Sequence, residues 1–393
     1  MGEAVKIKHS FSQTQLLNRV GSRVTDEIAH EARRKGTVML PLSAYPTRKM
    51  PPAILEAMVA ELGVSTHPPS AGIPELREAM ADELKAELGW RPDPDTEILV
   101  TAGGMHAVQL ALLAVLNRRD QALIFTPSYF FDGLIHLCGG IPKSVPCDPD
   151  ANFQMEASML RPFAKARALV FNTPCNPTGV IPDAAEIERL ALWAKKTGAV
   201  IVSDESYDKL VYDDAKHVSF FSSKTGRQHG LLVRSFTKSF GMPQWRVGFL
   251  VGRAEWIANA KKALEWTNLF GPHLNQKIAA CVLRSNRSWL DGVAGEFQRN
   301  RDALLKGLKN IEGVRSTLPR GNPFVFLQIE GLGKKDVAFS RMLIEKHGIP
   351  NTPGTYHGLP GWLRVPFGGP IEAVREASHR LTTAIEEFHA KVG

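Results

Sequence analysis

The chain has 393 residues, of which 44% are hydrophobic and 22% charged, and its formal net charge is +8. This length suits two domains, or one large α/β unit with a satellite. No Lys/Arg run and no basic-aromatic interleaving of the nucleic-acid-binding kind is present. Residues 2–8 lack the long apolar core of a signal peptide, and no apolar run reaches the length of a membrane span. The four cysteines are widely spaced without a CxxC pair, which predicts reduced thiols in a cytoplasmic protein and no metal site.

The first third of the chain combines helical periodicity with two short apolar runs. Helices are predicted at about Gln13–Lys35, Pro51–Leu62, from Pro74 onward, and Ala107–Leu116, and strands at Val38–Leu42 and Ile98–Val100.

From residue 122 onward, short apolar runs alternate with helical segments. This alternation is typical of a mostly parallel sheet covered by helices on both faces. The predicted strands are Ala122–Phe125, Ser144–Pro146, Ala168–Phe171, Val200–Ser203, Leu231–Arg234 and Val247–Val251. The predicted helices are Gly133–Leu137, Ala184–Lys196 and Glu255–Trp266. After the last of these helices, Pro272 breaks the helical pattern.

The remaining residues predict a second, smaller α+β domain. A long amphipathic stretch from about Trp289 to Lys309 connects the two domains. It is followed by strand, helix, strand and helix at Phe324–Ile329, Val337–His347, Trp362–Val365 and Ile371–His389. The sequence therefore predicts a large domain at 48–290 and a small domain at 291–393.

Lys238 follows the apolar run Leu231–Val233, at the point where a buried strand is expected to end. A lysine there is either a surface residue with its charge in water or an amine that forms a Schiff base with a carbonyl. The hydroxyls of Ser235 and Ser239 flank it, and Arg246 is a cation suited to a phosphate. These neighbours favour the Schiff-base lysine.

Two further strand ends carry a glycine pair and an aromatic residue. Gly103 and Gly104, with Met105, open a helix directly after a strand, which allows an anion to approach free backbone N–H groups. The same pair is also common in a plain tight turn. Tyr129 and Phe130 follow the next strand and serve either as core residues or as a ring that stacks on a ligand.

Polar residues follow three other apolar runs. Asn176 lies in the turn-rich segment 172–179, where prolines fix the loop. Asp204 follows Val200–Val202 and is costly to bury unless it is paired; the alternative from local sequence is a helix N-cap. Arg364 lies within an apolar strand, where its planar fork fits a carboxylate ligand or a structural ion pair.

In this order the motifs resemble those of the class I/II pyridoxal-phosphate (PLP)-dependent aminotransferases, the aspartate aminotransferase fold group of fold type I. The segment 172–179 matches the family pattern NxPxNPTG almost letter for letter, and the resemblance covers nearly the whole chain. It implies an N-terminal segment, 1–47, that packs on the small domain. It also implies a homodimer with shared active sites.

The resemblance implies a role for each candidate residue. Lys238 would carry the PLP Schiff base and transfer protons, and Asp204 would keep the pyridine nitrogen protonated. Tyr207 and Asn176 would contact the phenolic oxygen, Tyr129 would stack on the ring, and Arg364 would bind the α-carboxylate of the substrate. Gly103, Gly104, Met105, Ser235 and Arg246 would hold the phosphate. The implied reaction moves an amino group from an L-amino acid to a 2-keto acid.

Two positions depart from the family pattern. His67 replaces a tyrosine that contacts the phosphate in the neighbouring subunit, and Ala44-Tyr45-Pro46 replaces Gly-x-Pro at the substrate mouth. Both departures leave open another PLP reaction on an amino acid, such as β-elimination, decarboxylation, γ-substitution or oxidation. A PLP-binding transcription regulator is disfavoured, because the match begins too early for a preceding DNA-binding domain.

Overall fold

A computed structural model describes residues 24–392. Within these residues the larger of two sheets has seven strands, in the spatial order β1-β7-β6-β5-β4-β2-β3. The strands are β1 (Ile98–Thr101), β2 (Gln121–Thr126), β3 (Ile141–Pro146), β4 (Ala168–Asn172), β5 (Val200–Asp204), β6 (Gly230–Ser235) and β7 (Gly248–Gly252). Only β7 runs antiparallel to its neighbours, so the prediction of a mostly parallel central sheet is confirmed.

The central strands are apolar on both faces because helices cover both sides of the sheet. Every residue of β4, β5 and β6 is buried. In the described part of the chain the helices are α1 (Val24–Arg34), α2 (Pro52–Glu61), α3 (Pro74–Leu88), α4 (Gly104–Val115), α5 (Phe131–Leu137), α6 (Ala184–Thr197), α7 (Lys224–His229), α8 (Phe236–Ser239), α9 (Ala254–Thr267), α10 (His273–Arg284), α11 (Val293–Leu308), α12 (Asp336–His347) and α13 (Ile371–Val392). None of these helices is long and apolar enough to cross a membrane.

The smaller sheet has four antiparallel strands among the described residues, in the order β10-β11-β9-β8. They are β8 (Val314–Ser316), β9 (Phe324–Ile329), β10 (Thr352–Pro353) and β11 (Trp362–Pro366). Helices α11 and α13 pack on each other, and their apolar faces share a hydrophobic core with β9 and β11. This arrangement confirms the predicted α+β unit, while the domain bounds at 47 and 290 stay a prediction.

The described part of the N-terminal segment contacts the smaller unit. Ile28 and Ala32 of α1 pack on Ile344 of α12, and Ser43 forms a single β-bridge with Gly368. The first part of the helix predicted at 13–35 lies outside the described residues, and the remainder is α1.

Three sequence-based assignments need correction. Val38–Leu42 is not a strand: Leu40 N–H donates to the Gly348 carbonyl at 2.8 Å, and Val38 is 80% exposed. The apolar residues of this segment resemble those of a strand. The segment lies beside the end of α12, however, which cannot form the regular backbone hydrogen bonds of a sheet. Pro272, predicted only as a break in the helical pattern, directly precedes α10. At the start of a helix the backbone N–H that proline lacks has no partner within the helix, so its loss costs no hydrogen bond. Strands β8 and β10 were missed because two or three residues show no periodicity.

Candidate active site

The carboxyl ends of three parallel strands bring the predicted polar residues together. Strands β4 and β5 are in register with Asn172 opposite Asp204, and Asp204 is opposite Val233 of β6. Ser235 ends β6 two residues later. A cavity of about 560 Å³ lies at this edge of the sheet. Of the residues proposed from the sequence, Gly103, His67 and Ser239 do not line it, and the others do.

Lys238 lies on the one-turn helix α8. Ser235 caps this helix, and its Oγ accepts a hydrogen bond from Thr237 N–H at 3.2 Å. Lys238 Nζ donates to the Ala44 carbonyl at 3.2 Å. The ammonium lies 5.4 Å from the Tyr45 ring centre and 5.5 Å from that of Tyr207, so two aromatic faces flank the amine.

Asp204 is buried at the end of β5. One carboxylate oxygen accepts hydrogen bonds from Ser206 N–H at 3.0 Å and Ser206 Oγ–H at 2.5 Å. Burial raises the pKa of Asp204 to about 6, against the lowering effect of the Ser206 bonds and the weaker attraction of Lys238. The contact with Ser206 N–H resembles the capping contact that the sequence left open as an alternative, and Asp204 makes it while also lining the cavity.

Asn176, Tyr207 and Arg364 form a connected polar group. Asn176 Nδ2 donates to Tyr207 Oη at 3.4 Å, and Arg364 Nη1 donates to Asn176 Oδ1 at 3.0 Å. Arg364 Nη2 donates to Thr352 Oγ1 at 2.9 Å, and the guanidinium lies 4.2 Å from the centre of the Phe324 ring. The guanidinium is therefore held on two sides. Burial raises the pKa of Tyr207, so its hydroxyl stays protonated at neutral pH.

The start of α4 faces Arg246. Arg246 Nη2 donates to the Ala102 carbonyl and Nη1 to Thr237 Oγ1, each at 3.2 Å. Gly103 has a φ of +87°, and a Cβ there would lie 2.4 Å from Arg246 Nη2. A side chain at Gly104 would come within 3.0 Å of Ser206 Oγ. Only glycine thus leaves room for the arginine and for an anion at the helix start.

Sequence reasoning missed several residues that line the cavity, among them three polar residues that contact the predicted ones. Ser206 lies between Asp204 and Tyr207, and Thr237 precedes Lys238. Both residues therefore belong to motifs that the sequence analysis recognised, although it assigned them no role. Thr352 lies on the two-residue strand β10, and only its distance to Arg364 identifies it.

Tyr129 is half-buried and lines the cavity, its ring 4.7 Å from that of Phe130. Phe130 is half-buried and lines the cavity too, so both aromatic residues reach it. His67 instead packs against Phe270 with ring centres 4.2 Å apart. Its predicted contact with a partner subunit stays a prediction.

Comparison with known proteins decides the family. The model for "aminotransferase class I and II" matches residues 39–381. The chain belongs to the class I and II aminotransferases. It is therefore a PLP-dependent enzyme that transfers amino groups, and the prediction of this activity and cofactor is confirmed.

Individual relatives of this aminotransferase are similar over most of their length. Aspartate aminotransferase from Pyrococcus abyssi is 31% identical over 83% of this chain and 86% of its own. Aromatic-amino-acid aminotransferase 2 from Thermococcus litoralis is 30% identical over 83% of this chain and 85% of its own. The structure of Thermus thermophilus aspartate aminotransferase with maleate superposes with a TM-score of 0.88 at 27% identity, covering 95% of this chain and all of that one.

The site of this aminotransferase fits the cofactor in size and donor set. The cup formed by Gly103, Gly104, Ser235 and Arg246 suits a phosphate. Among the described residues, no cation hydrogen-bonds to the buried carboxylate of Asp204. A protonated ring nitrogen would supply the positively charged partner that this carboxylate needs.

Proposed function

We propose that this aminotransferase moves the amino group of an L-amino acid to a 2-keto acid, with Lys238, Asp204 and Arg364 as its principal residues. The observation that carries the proposal is that an amine, a buried carboxylate and a positioned guanidinium line one cavity beside an anion cup. Each comes from a different segment of the chain, so only the fold brings them together.

Pyridoxal phosphate, when bound, supplies an aldehyde that condenses with amines and a ring that withdraws electrons from the substrate. The residues around Gly103 and Arg246 bind the phosphate. Asp204 keeps the ring nitrogen protonated, and its buried position strengthens that ion pair. Asn176 and Tyr207 donate hydrogen bonds to the phenolic oxygen, and Tyr129 stacks on the ring.

Arg364 binds the α-carboxylate of the amino acid. Because Asn176 and Thr352 already fix the guanidinium plane, the carboxylate is held in one orientation, which sets the direction of the Cα–H bond. Lys238 would hold the aldehyde group of the cofactor through its amine. When not so engaged, the same amine would act as the general base and acid that accepts and releases the Cα proton of the substrate.

The residue roles are tested by Lys238→Ala. We expect turnover to fall by at least about 10³-fold, because the variant loses both the anchor and the proton carrier. The matched control is Lys165→Ala, an exposed lysine outside the cavity, which should keep wild-type turnover.

A second readout does not depend on turnover. Borohydride reduction of the loaded wild-type protein should fix the cofactor on the peptide that contains Lys238, as read by mass spectrometry. A label on another lysine, or wild-type turnover by Lys238→Ala, would refute the assignment.

A homodimer is part of the same proposal. Exposed apolar side chains lie at the end of α9 and after α2: Trp266 is 93% exposed, Leu62 63% and Leu269 51%. The His67–Phe270 contact and a hydrogen bond from Ser70 Oγ to Glu265 at 2.7 Å join these two segments. They therefore form one surface, which we assign to the partner subunit. A cytoplasmic location likewise stays a proposal.

A further inference from the structure

A second cavity, the side cavity, adjoins the active-site cavity and has a volume of about 470 Å³. Among the described residues, Met105, Tyr129, Phe130 and Tyr356 line both cavities. A cavity of about 150 Å³ is enough to hold benzene. The side cavity is therefore large enough for an aromatic or long aliphatic group that extends from the active site.

The wall of the side cavity is mainly apolar and carries no positive charge in the described part of the chain. Leu134 and Leu137 of α5 line it together with Ile124 of β2. His357 also lines it, and its Nδ1 lies 2.8 Å from the Ser128 carbonyl, which can only accept, so Nδ1 carries the proton. Burial lowers the pKa of His357 well below its usual value, so the ring is neutral. The charged residue of this wall is Asp132.

Within the described residues 24–392, the active-site cavity has no lysine or arginine left over for a second carboxylate. The lysine and arginine residues among its described lining are Lys238, Arg246 and Arg364. Each already has a role in the proposed function. An acidic substrate side chain that entered the side cavity would meet the carboxylate of Asp132 instead, at a substantial electrostatic cost.

We infer that the preferred amino donor carries a large apolar side chain, aromatic or branched aliphatic, which contacts Phe130 and Tyr356 and enters the side cavity. This inference rests on the proposed function and specifies its substrate class. Burial of such a group removes apolar surface from water, whereas alanine would leave the side cavity unused.

The first test compares donors on the loaded wild-type enzyme. We expect kcat/KM for phenylalanine and leucine to exceed that for aspartate and glutamate by at least about 10²-fold, or about 2.7 kcal/mol. Equilibrium binding gives a second readout: 3-phenylpropanoate, which has no amino group and cannot react, should bind more tightly than succinate by calorimetry. A preference for aspartate and succinate would overturn the inference and leave the aminotransferase assignment intact.

Variants of the side cavity test where the side chain lies. Leu134→Trp fills the cavity, and we expect it to lower kcat/KM for phenylalanine at least about 10-fold while alanine changes less than about 2-fold. Leu192→Trp, at an exposed leucine of α6 that lines neither cavity, is the matched control. Equal effects of Leu134→Trp on both donors would refute the location.

A second variant, Leu137→Arg, tests the same inference in case Leu134→Trp does not fold. Leu137 is 38% exposed, so Leu137→Arg should fold, and its cation should reduce the preference for phenylalanine over glutamate at least about 5-fold. An unchanged ratio would count against the inference. If no donor is turned over at all, the proposed function fails, and the binding of 3-phenylpropanoate against succinate still decides the inference.

Discussion

Asp204 shows how the site is set at the scale of one residue. Its carboxylate is buried at a strand end and receives hydrogen bonds from Ser206 alone among the described residues. Burial favours the neutral acid and raises its pKa to about 6. A positively charged ring nitrogen beside it would reverse this effect, so cofactor binding and ionisation of Asp204 support each other.

The pH dependence of the cofactor-free protein follows from this shift. A raised acid pKa means that the folded state holds the proton more tightly than the unfolded state. The associated stability is present below about pH 4 and is lost as the pH rises through 6, a change of about 3 kcal/mol. Asp204→Asn should therefore match the wild type in free energy of unfolding at pH 4 and exceed it by up to this amount at pH 7, as measured by urea denaturation of cofactor-free protein.

The control for this prediction is Asp214→Asn, at an exposed aspartate outside the cavity, which should show no such pH-dependent difference. With cofactor loaded, Asp204→Asn should lose at least about 10²-fold in kcat, because an amide cannot keep the ring nitrogen charged. If cofactor-free Asp204→Asn is less stable than the wild type at pH 7, the carboxylate has a favourable partner and the argument fails.

At the scale of elements, the junction of β1 and α4 makes the anion cup. Gly103→Ala places a methyl group against Arg246 and forces a positive φ on a residue with a Cβ. We expect the dissociation constant for pyridoxal phosphate to rise at least about 10-fold, because a displaced phosphate loses a charge-assisted contact. Fluorescence titration of cofactor-free protein measures this directly.

Gly198→Ala separates the two effects of that substitution. Gly198 has a φ of +74° at the end of α6, and a Cβ there would meet nothing within 4 Å. This control should lose about 1 kcal/mol of stability from backbone strain and bind the cofactor normally. Equal cofactor affinity in both variants would show that the crowding of Arg246 does not matter.

The strands that carry the site could be predicted from the sequence because they are buried along their whole length. Residues of β4, β5 and β6 are buried on both faces, so their continuous apolar runs stand out in the sequence. Strand β10 has no such pattern, although it supplies Thr352. Helix α10 was hidden by Pro272, since a proline looks the same whether it ends a helix or precedes one.

At the scale of the whole molecule, the exposed surface around Trp266 predicts association. Trp266→Asp should shift the protein from dimer to monomer in light scattering, because a charge within a buried apolar contact is costly. Activity should fall with it if the sites are shared. Leu318→Asp, at a leucine 55% exposed outside this surface, is the control and should leave the mass unchanged. A wild-type protein that is monomeric and fully active would contradict the proposed dimer.

The sequence alone determined the family, the cofactor and the principal residues of the site, because most of these lie in short motifs at strand ends. Tertiary structure decided which segments meet: Ala44 with Lys238, Thr352 and Asn176 with Arg364, and Gly103 with Arg246. It also revealed the side cavity, whose walls come from α4, α5, β2 and the residues before β11. Local patterns record the burial of a segment, whereas a distance between remote side chains depends on how the whole chain packs.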